Sequence, residues 1–174
     1  MPEPRSAEAR QPAVRASEPR LFLAVQYGAR ADDLPGPRHL RRWAKRALTC
    51  DARLVIRWVG EGEGRRLNAA YRARGYATNV LTFVYDGTVP LSGDLVLCAP
   101  VIRREAREQG KAFADHCAHL VVHGTLHLQG HDHDNDRAAR RMEARETAIL
   151  AELGIPDPYA DPYRGRPEPA RRRA

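Results

Sequence analysis

The spacing of apolar residues along the chain predicts four β-strands. In residues 21–27, apolar side chains occupy every second position, a pattern typical of a strand with one buried face. Three short apolar runs have the length and the β-branched residues of buried strands. They cover residues 53–59, 80–85 and 94–99.

A second apolar pattern, with a repeat of three or four residues, predicts five helices. In the first helix, Leu40, Trp43 and Ala47 fall on one face. The other four helices are expected at residues 63–74, 101–109, 111–129 and 136–153. The element order β-α-β-α-β-β-α-α-α predicts an α+β, α/β-like domain with a single small mixed sheet of about four strands packed with helices.

The composition places this domain between two tails. A length of 174 residues suits one domain, which we expect at residues 20–161. Residues 1–19 and 162–174 are rich in Pro, Ala and Arg without periodicity, so they are predicted to be disordered. Much of the net charge of +7 lies in the Arg-rich C-terminal tail. The charge of the domain itself is therefore a weak indication of nucleic-acid binding.

Several classes of protein do not fit this sequence. No apolar run approaches the ~18 residues that a membrane span needs, and the N-terminal residues lack the apolar core of a secretory signal. Three widely spaced cysteines do not make a disulfide framework. We therefore expect a cytoplasmic protein that does not associate with membranes.

Histidines are concentrated in one segment. Six of the seven lie between His116 and His133, largely on the predicted helix at residues 111–129. His123 and His127 are four residues apart, so both imidazoles project from one face and can converge on a metal ion. This pair is the centre of a predicted metal site.

The third ligand has to come from beyond the helix. If the helix continued, His131 would lie about 6 Å further along the axis than His127, away from a shared centre. Gly130 is suited to end the helix, and His133 can then turn back. Three histidines leave one coordination position open, which is the pattern of catalytic zinc sites and suits Zn²⁺ or another late first-row metal.

Other roles of these residues stay open. His119 lies four residues before His123, so a 119/123 ligand pair is a weaker alternative. His119, His131 and Asp132 are candidates for contacting the ligands or the substrate. The spacing matches the zincin-like H-E-x-x-H-x-x-G-x-x-H frame of metzincin proteases, but Gly124 stands where those enzymes carry their glutamate base. Peptide hydrolysis is therefore not expected.

The chain also resembles the bacterial YbeY-type endoribonuclease family. Residues 119–133, HLVVHGTLHLQGHDH, are similar to the family motif HGxLHLxGxDH. LNAAYR, TNVLTF and GDLVLC resemble three further motifs, in the right order, at residues 67–72, 78–83 and 93–98. The family usually has Asp and Pro before the TN pair, where this chain has Gly75 and Ala77.

This resemblance implies a function. Family members act as single-strand-specific, zinc-dependent endoribonucleases in rRNA processing, including 16S rRNA 3′ end maturation, and in ribosome quality control. The resemblance also implies one zinc on His123, His127 and His133, with Arg72 and His123 as catalytic residues. The expected partners are single-stranded RNA, rRNA, and the small ribosomal subunit or ribosome-associated proteins.

Two other functions are compatible with the residues themselves. One is a non-catalytic ribosome-assembly factor with a structural zinc, and the other is a metallohydrolase of a small phosphoester or amide.

Five cations on the first predicted helix could form a basic rim that binds the RNA backbone. They are Arg38, Arg41, Arg42, Lys45 and Arg46.

Overall fold

The structure, a computed structural model, describes residues 18–28, 30 and 32–160. Both predicted tails lie outside these residues, except for Glu18 and Pro19. The described part contains four strands, β1 (Leu21–Tyr27), β2 (Ala52–Val59), β3 (Val80–Val84) and β4 (Leu91–Cys98). It also contains five helices, α1 (Pro37–Ala47), α2 (Glu61–Arg72), α3 (Ala99–Glu108), α4 (Phe113–Leu128) and α5 (Asp136–Glu152).

The element order agrees with the order predicted from the sequence. The largest difference is at β4, which begins three residues before the predicted start at Asp94. Its first residues, Leu91 to Gly93, pair with β2 from Ala52 onward. Ser92 and Gly93 interrupt the apolar pattern there, so only the pairing reveals that the strand begins earlier.

The four strands form one mixed sheet in the order β1-β2-β4-β3. Strands β1, β2 and β4 are parallel, and β3 lies antiparallel to β4 at the edge. This arrangement confirms the predicted α+β class and the single small mixed sheet.

Helices cover the two faces of the sheet unequally. On one face, the main core joins Leu54, Ile56 and Leu95 to buried residues of α1, α4 and α5. On the other face, Leu67 of α2 packs against Leu81 and Val96 in a smaller cluster. Helix α4 contacts β3, β4 and the helices α1, α3 and α5, so it is the central helix of the domain.

The surroundings of α4 explain its composition. A helix with neighbours on most sides is apolar around most of its circumference. Apart from the acid in its first turn and the buried Thr125, its polar side chains are histidines. Within residues 18–28, 30 and 32–160, no helix is long and apolar enough to cross a membrane.

Candidate metal centre

His123 and His127 meet on one face of α4, as their spacing predicts. Their Nε2 atoms are 3.1 Å apart, and their ring centroids are 4.5 Å apart. Both residues are half-buried on an otherwise largely apolar helix. The helix backbone therefore presents two imidazole nitrogens to the same point.

A helix-ending turn brings His133 to this pair. Gly130 has φ +82°, a left-handed conformation that glycine adopts without strain. The N–H groups of Gly130 and His131 donate to the carbonyls of His127 and Leu126, at 2.9 and 3.1 Å, which is the Schellman pattern at the end of a helix. The chain thereby reverses, and the ring centroid of His133 lies 5.0 Å from that of His127.

The three histidines could hold a metal ion. One nitrogen of each lies within 4.8 Å of the others. Burial lowers the pKa of His127, and the neighbouring His123 and His133 lower it further. His127 is therefore neutral at pH 7, which is the state that binds a metal.

A buried carboxylate, Glu146 of α5, lies behind His123. Its side chain is fully buried, and its Oε1 is 2.8 Å from Nδ1 of His123. Its Oε2 is 2.9 Å from Nε2 of His119 and also accepts a hydrogen bond from the Tyr159 hydroxyl. Burial by itself raises the pKa of Glu146, but hydrogen bonds from His119, His123 and Tyr159 outweigh it and lower the pKa to about 2. The carboxylate is therefore ionised.

Glu146 also belongs to a second group that could hold a metal ion. One atom each of His119, His123 and Glu146 lies within 4.8 Å of the others. This group contains the alternative 119/123 pair, and it shares His123 with the first group. The two histidine nitrogens of this group, however, lie at hydrogen-bond distance from the Glu146 carboxylate. This geometry suits a hydrogen-bonded network without an ion.

The other candidates beside the ligands have different positions. His119 shares the Glu146 carboxylate with His123, and the two ring centroids are 6.1 Å apart. Oδ1 of Asp132 accepts the backbone N–H of His133 at 2.7 Å and so shapes the turn before that residue. Burial lowers the pKa of His131, and Arg145 lowers it further. The backbone N–H of His131 donates to the carbonyl of Leu126 at the end of α4.

Arg72 lies across the edge of the sheet from the histidines. It is exposed at the last residue of α2, the helix that packs on the face opposite α4. No hydrogen bond or ion pair joins it to a histidine in the part of the chain that the structure describes. The edge strand β3 is contacted from both sides, by Tyr71 of α2 at Phe83 and by Gly124 of α4 at Val80.

Asn79 and Asp94 have structural contacts rather than an evident chemical role. Oδ1 of Asn79 accepts the N–H of Val80, and its amide donates to Glu105 at 3.0 Å. Glu105 also contacts Nε2 of the buried His116, at 2.9 Å. The carboxylate of Asp94 accepts a hydrogen bond from the Tyr85 hydroxyl. Asn79 directly precedes β3, as a turn or strand-end residue would, whereas Asp94 lies inside β4 and not at its end.

Gly124 occupies the position where a metzincin has its glutamate base, and the structure leaves no space there. A β-carbon on Gly124 would lie 2.5 Å from Cδ2 of Leu95 and 3.3 Å from Cγ2 of Thr82. Leu95 is fully buried in the main core, so it has little freedom to move. The close approach of α4 to the sheet therefore requires glycine at this position.

Replacing Gly124 by glutamate should lower the free energy of unfolding by more than about 3 kcal/mol, because it overpacks the core and buries an unpaired carboxylate. The same substitution at Gly62, an exposed position of α2, is the matched control and should have little effect. Denaturant unfolding of both variants measures the difference. Equal free energies of unfolding for the two variants would show that the contact between Gly124 and Leu95 does not require glycine.

Two of the five cations of α1 form ion pairs with acidic side chains that the local sequence does not indicate. Lys45 pairs with Glu18 at 2.9 Å, and Arg46 pairs with Glu152. These acids come from distant parts of the chain, so the local sequence does not reveal them. A groove of about 990 Å³ is lined by Phe22, Arg41, Lys45, Arg53 and Tyr85 among others, and no histidine lines it. The basic rim stays a prediction.

The fold and the three-histidine cluster define an α+β domain with a candidate metal site on its central helix. A family model described as Endoribonuclease YbeY matches residues 37–154. An Endoribonuclease YbeY from Aromatoleum aromaticum is 56% identical over 144 residues, which cover 81% of this chain and 94% of the relative. The chain belongs to the YbeY endoribonuclease family.

A further relative agrees with this assignment, and a solved structure shares the fold. An Endoribonuclease YbeY from Bordetella avium is 55% identical over 159 residues, which cover 84% of this chain and 98% of the relative. The solution structure of TM1509 from Thermotoga maritima matches 84% of this chain and 100% of its own, with a TM-score of 0.52 and 23% identity. That structure shares the fold.

Proposed function

We propose that this protein is a zinc-dependent endoribonuclease that cleaves single-stranded RNA in the cytoplasm. The observation that carries the proposal is the convergence of His123, His127 and His133 on one point in a chain of the YbeY family. We further propose that it acts in rRNA processing, including 16S rRNA 3′ end maturation, and in ribosome quality control. Its partners would be rRNA and the small ribosomal subunit or ribosome-associated proteins.

The donor atoms fit zinc. Two nitrogens that are each about 2.0–2.1 Å from a tetrahedral zinc lie about 3.3 Å apart. The Nε2 atoms of His123 and His127 are 3.1 Å apart, close to that value. The three donors are imidazoles without a carboxylate, which favours zinc over magnesium or calcium.

The proposed chemistry uses a Lewis acid and a cation. His123, His127 and His133 would hold the zinc, which would supply Lewis-acid chemistry. Arg72 is proposed to stabilise the negative charge that develops on the phosphate, because a guanidinium can bind two phosphate oxygens at once. Its place at the end of α2, beside the edge strand β3, leaves the side chain free to extend toward RNA.

The first test compares substrates. We expect the zinc-loaded protein to cut an end-labelled single-stranded RNA and to leave the same sequence in a duplex intact. Cleavage of a small phosphoester at a comparable rate would instead favour a general metallohydrolase. If the zinc-loaded protein cuts no RNA, the assembly-factor function with a structural zinc becomes the better account.

A second test identifies the group that attacks phosphorus. Attack by the RNA 2′-OH leaves a 2′,3′-cyclic phosphate, whereas attack by water leaves a simple monophosphate. The candidates for the general base are His119, His131 and solvent, because Gly124 has no side chain that could accept a proton. A substrate with a single 2′-deoxy sugar at the cut separates the two routes. Unchanged cleavage of that substrate would eliminate attack by the 2′-OH.

A further inference from the structure

We propose that Glu146 is a positioning residue for the metal centre, which holds the ring of His123 so that its Nε2 faces His127 and His133, and that Tyr159 holds Glu146 in place. The inference rests on the proposed metal centre but not on the substrate. No spacing rule in the sequence indicates either residue, because Glu146 lies 13 positions beyond the last proposed ligand, on another helix.

The hydrogen bonds to Glu146 determine how the carboxylate works. A buried carboxylate is tolerated when donors surround it. Here the donors are the ring nitrogens of His119 and His123 and the hydroxyl of Tyr159. In the proposed arrangement the Glu146 carboxylate accepts a hydrogen bond from Nδ1–H of His123, whose Nδ1 lies 2.8 Å from Oε1. Nε2 of His123 is then left with its lone pair free for a metal.

This arrangement also fixes the direction of the ring. The Oε1–Nδ1 distance of 2.8 Å holds one side of the His123 imidazole, and Nε2 on the other side lies 3.1 Å from Nε2 of His127. Carboxylates behind metal-binding histidines set the tautomer and raise the basicity of the ligand. Glu146 occupies that position relative to His123.

Tyr159 approaches the carboxylate from the segment after α5, and its hydroxyl also lies 3.3 Å from Nε2 of His119. Oδ1 of Asp157 accepts hydrogen bonds from the hydroxyl of Thr147, at 3.1 Å, and from the N–H of Tyr159, at 3.0 Å. Nζ of Lys111 donates to the carbonyl of Pro158 at 2.7 Å. These contacts fix the backbone that carries the phenol beside Glu146.

The first experiment measures zinc affinity by competition with a chromophoric chelator, without RNA. Glu146→Gln should bind one zinc about 10–100-fold more weakly than the wild type. Glu143→Gln, the same substitution at an exposed position one turn earlier on α5, should bind zinc like the wild type. Tyr159→Phe should weaken binding in the same direction, by less.

Two outcomes of this experiment would overturn the inference. One is equal zinc affinity of Glu146→Gln and Glu143→Gln. The other is two zinc equivalents in the wild type and one in Glu146→Gln, because Glu146 would then be a ligand of a second metal with His119. If Glu146→Gln does not fold, Tyr159→Phe still tests whether Glu146 positions His123, because this variant removes only the hydroxyl that donates to Glu146.

The second experiment reads the tautomer directly. Nitrogen-15 NMR of the metal-free wild type, at mildly alkaline pH, should show His123 with its proton on Nδ1, assigned by the signal that His123→Asn lacks. A proton on Nε2 would contradict the proposal. Because neither measurement uses RNA, a protein that meets both expectations but cuts no RNA would refute the nuclease function alone.

Discussion

Alanine at His127 should weaken zinc binding by at least about 100-fold and reduce RNA cleavage by about a thousandfold or more. His127 is one of the three proposed donors, and its Nε2 faces that of His123 at 3.1 Å. Removal of one donor leaves two, which is below the three protein ligands of catalytic zinc sites. Bound zinc is measured by elemental analysis after dialysis, and cleavage is measured on the same single-stranded RNA.

His39→Ala is the matched control, because His39 is exposed on α1 and lies outside both groups that could hold a metal. It should keep full zinc content and full cleavage. His127→Ala is preferred over His123→Ala, since His123 also donates to the buried Glu146 and its loss would disturb that network. Zinc binding by His127→Ala at wild-type affinity would refute the three-histidine site.

Alanine at Arg72 should reduce the cleavage rate about 100- to 1,000-fold while zinc content stays at one equivalent. A positioned donor to the charge that develops in a transition state contributes about that much. Arg72 is exposed at the end of α2, and nothing in the described structure makes it necessary for folding. Single-turnover cleavage with saturating protein measures this effect apart from RNA affinity.

Two control variants separate chemistry from general charge. Arg66→Ala removes an exposed arginine from the same helix and should leave the single-turnover rate close to wild type. Arg72→Lys keeps the charge but cannot form the two parallel hydrogen bonds of a guanidinium, so it should recover part of the rate. Equal rates for Arg72→Ala and Arg66→Ala would remove Arg72 from the mechanism.

The main parts of the fold and the ligand cluster follow from short-range patterns. The i, i+4 spacing of His123 and His127 requires only that α4 is a helix, and the apolar run around them predicts one. Gly130 marks the turn, because its left-handed conformation is the usual end of a helix. Each of these inferences depends on neighbours within about one or two turns.

The features that sequence analysis missed depend on contacts between distant elements. Glu146 reads as one more charged residue of an amphipathic helix, and only the packing of α5 on α4 buries it beside His119 and His123. Tyr159 follows α5 in an irregular segment, where no periodicity indicates which way a side chain points. Glu18 and Glu152 likewise neutralise cations of α1 from remote positions.

His123, His127 and His133 are proposed to hold the zinc that RNA cleavage needs. The most direct test titrates the metal-free protein with zinc and records bound zinc and cleavage of single-stranded RNA in the same samples. Cleavage should rise in proportion to bound zinc and stop rising at one equivalent per chain. Full cleavage by the metal-free protein, or one bound zinc without cleavage, would contradict the claim.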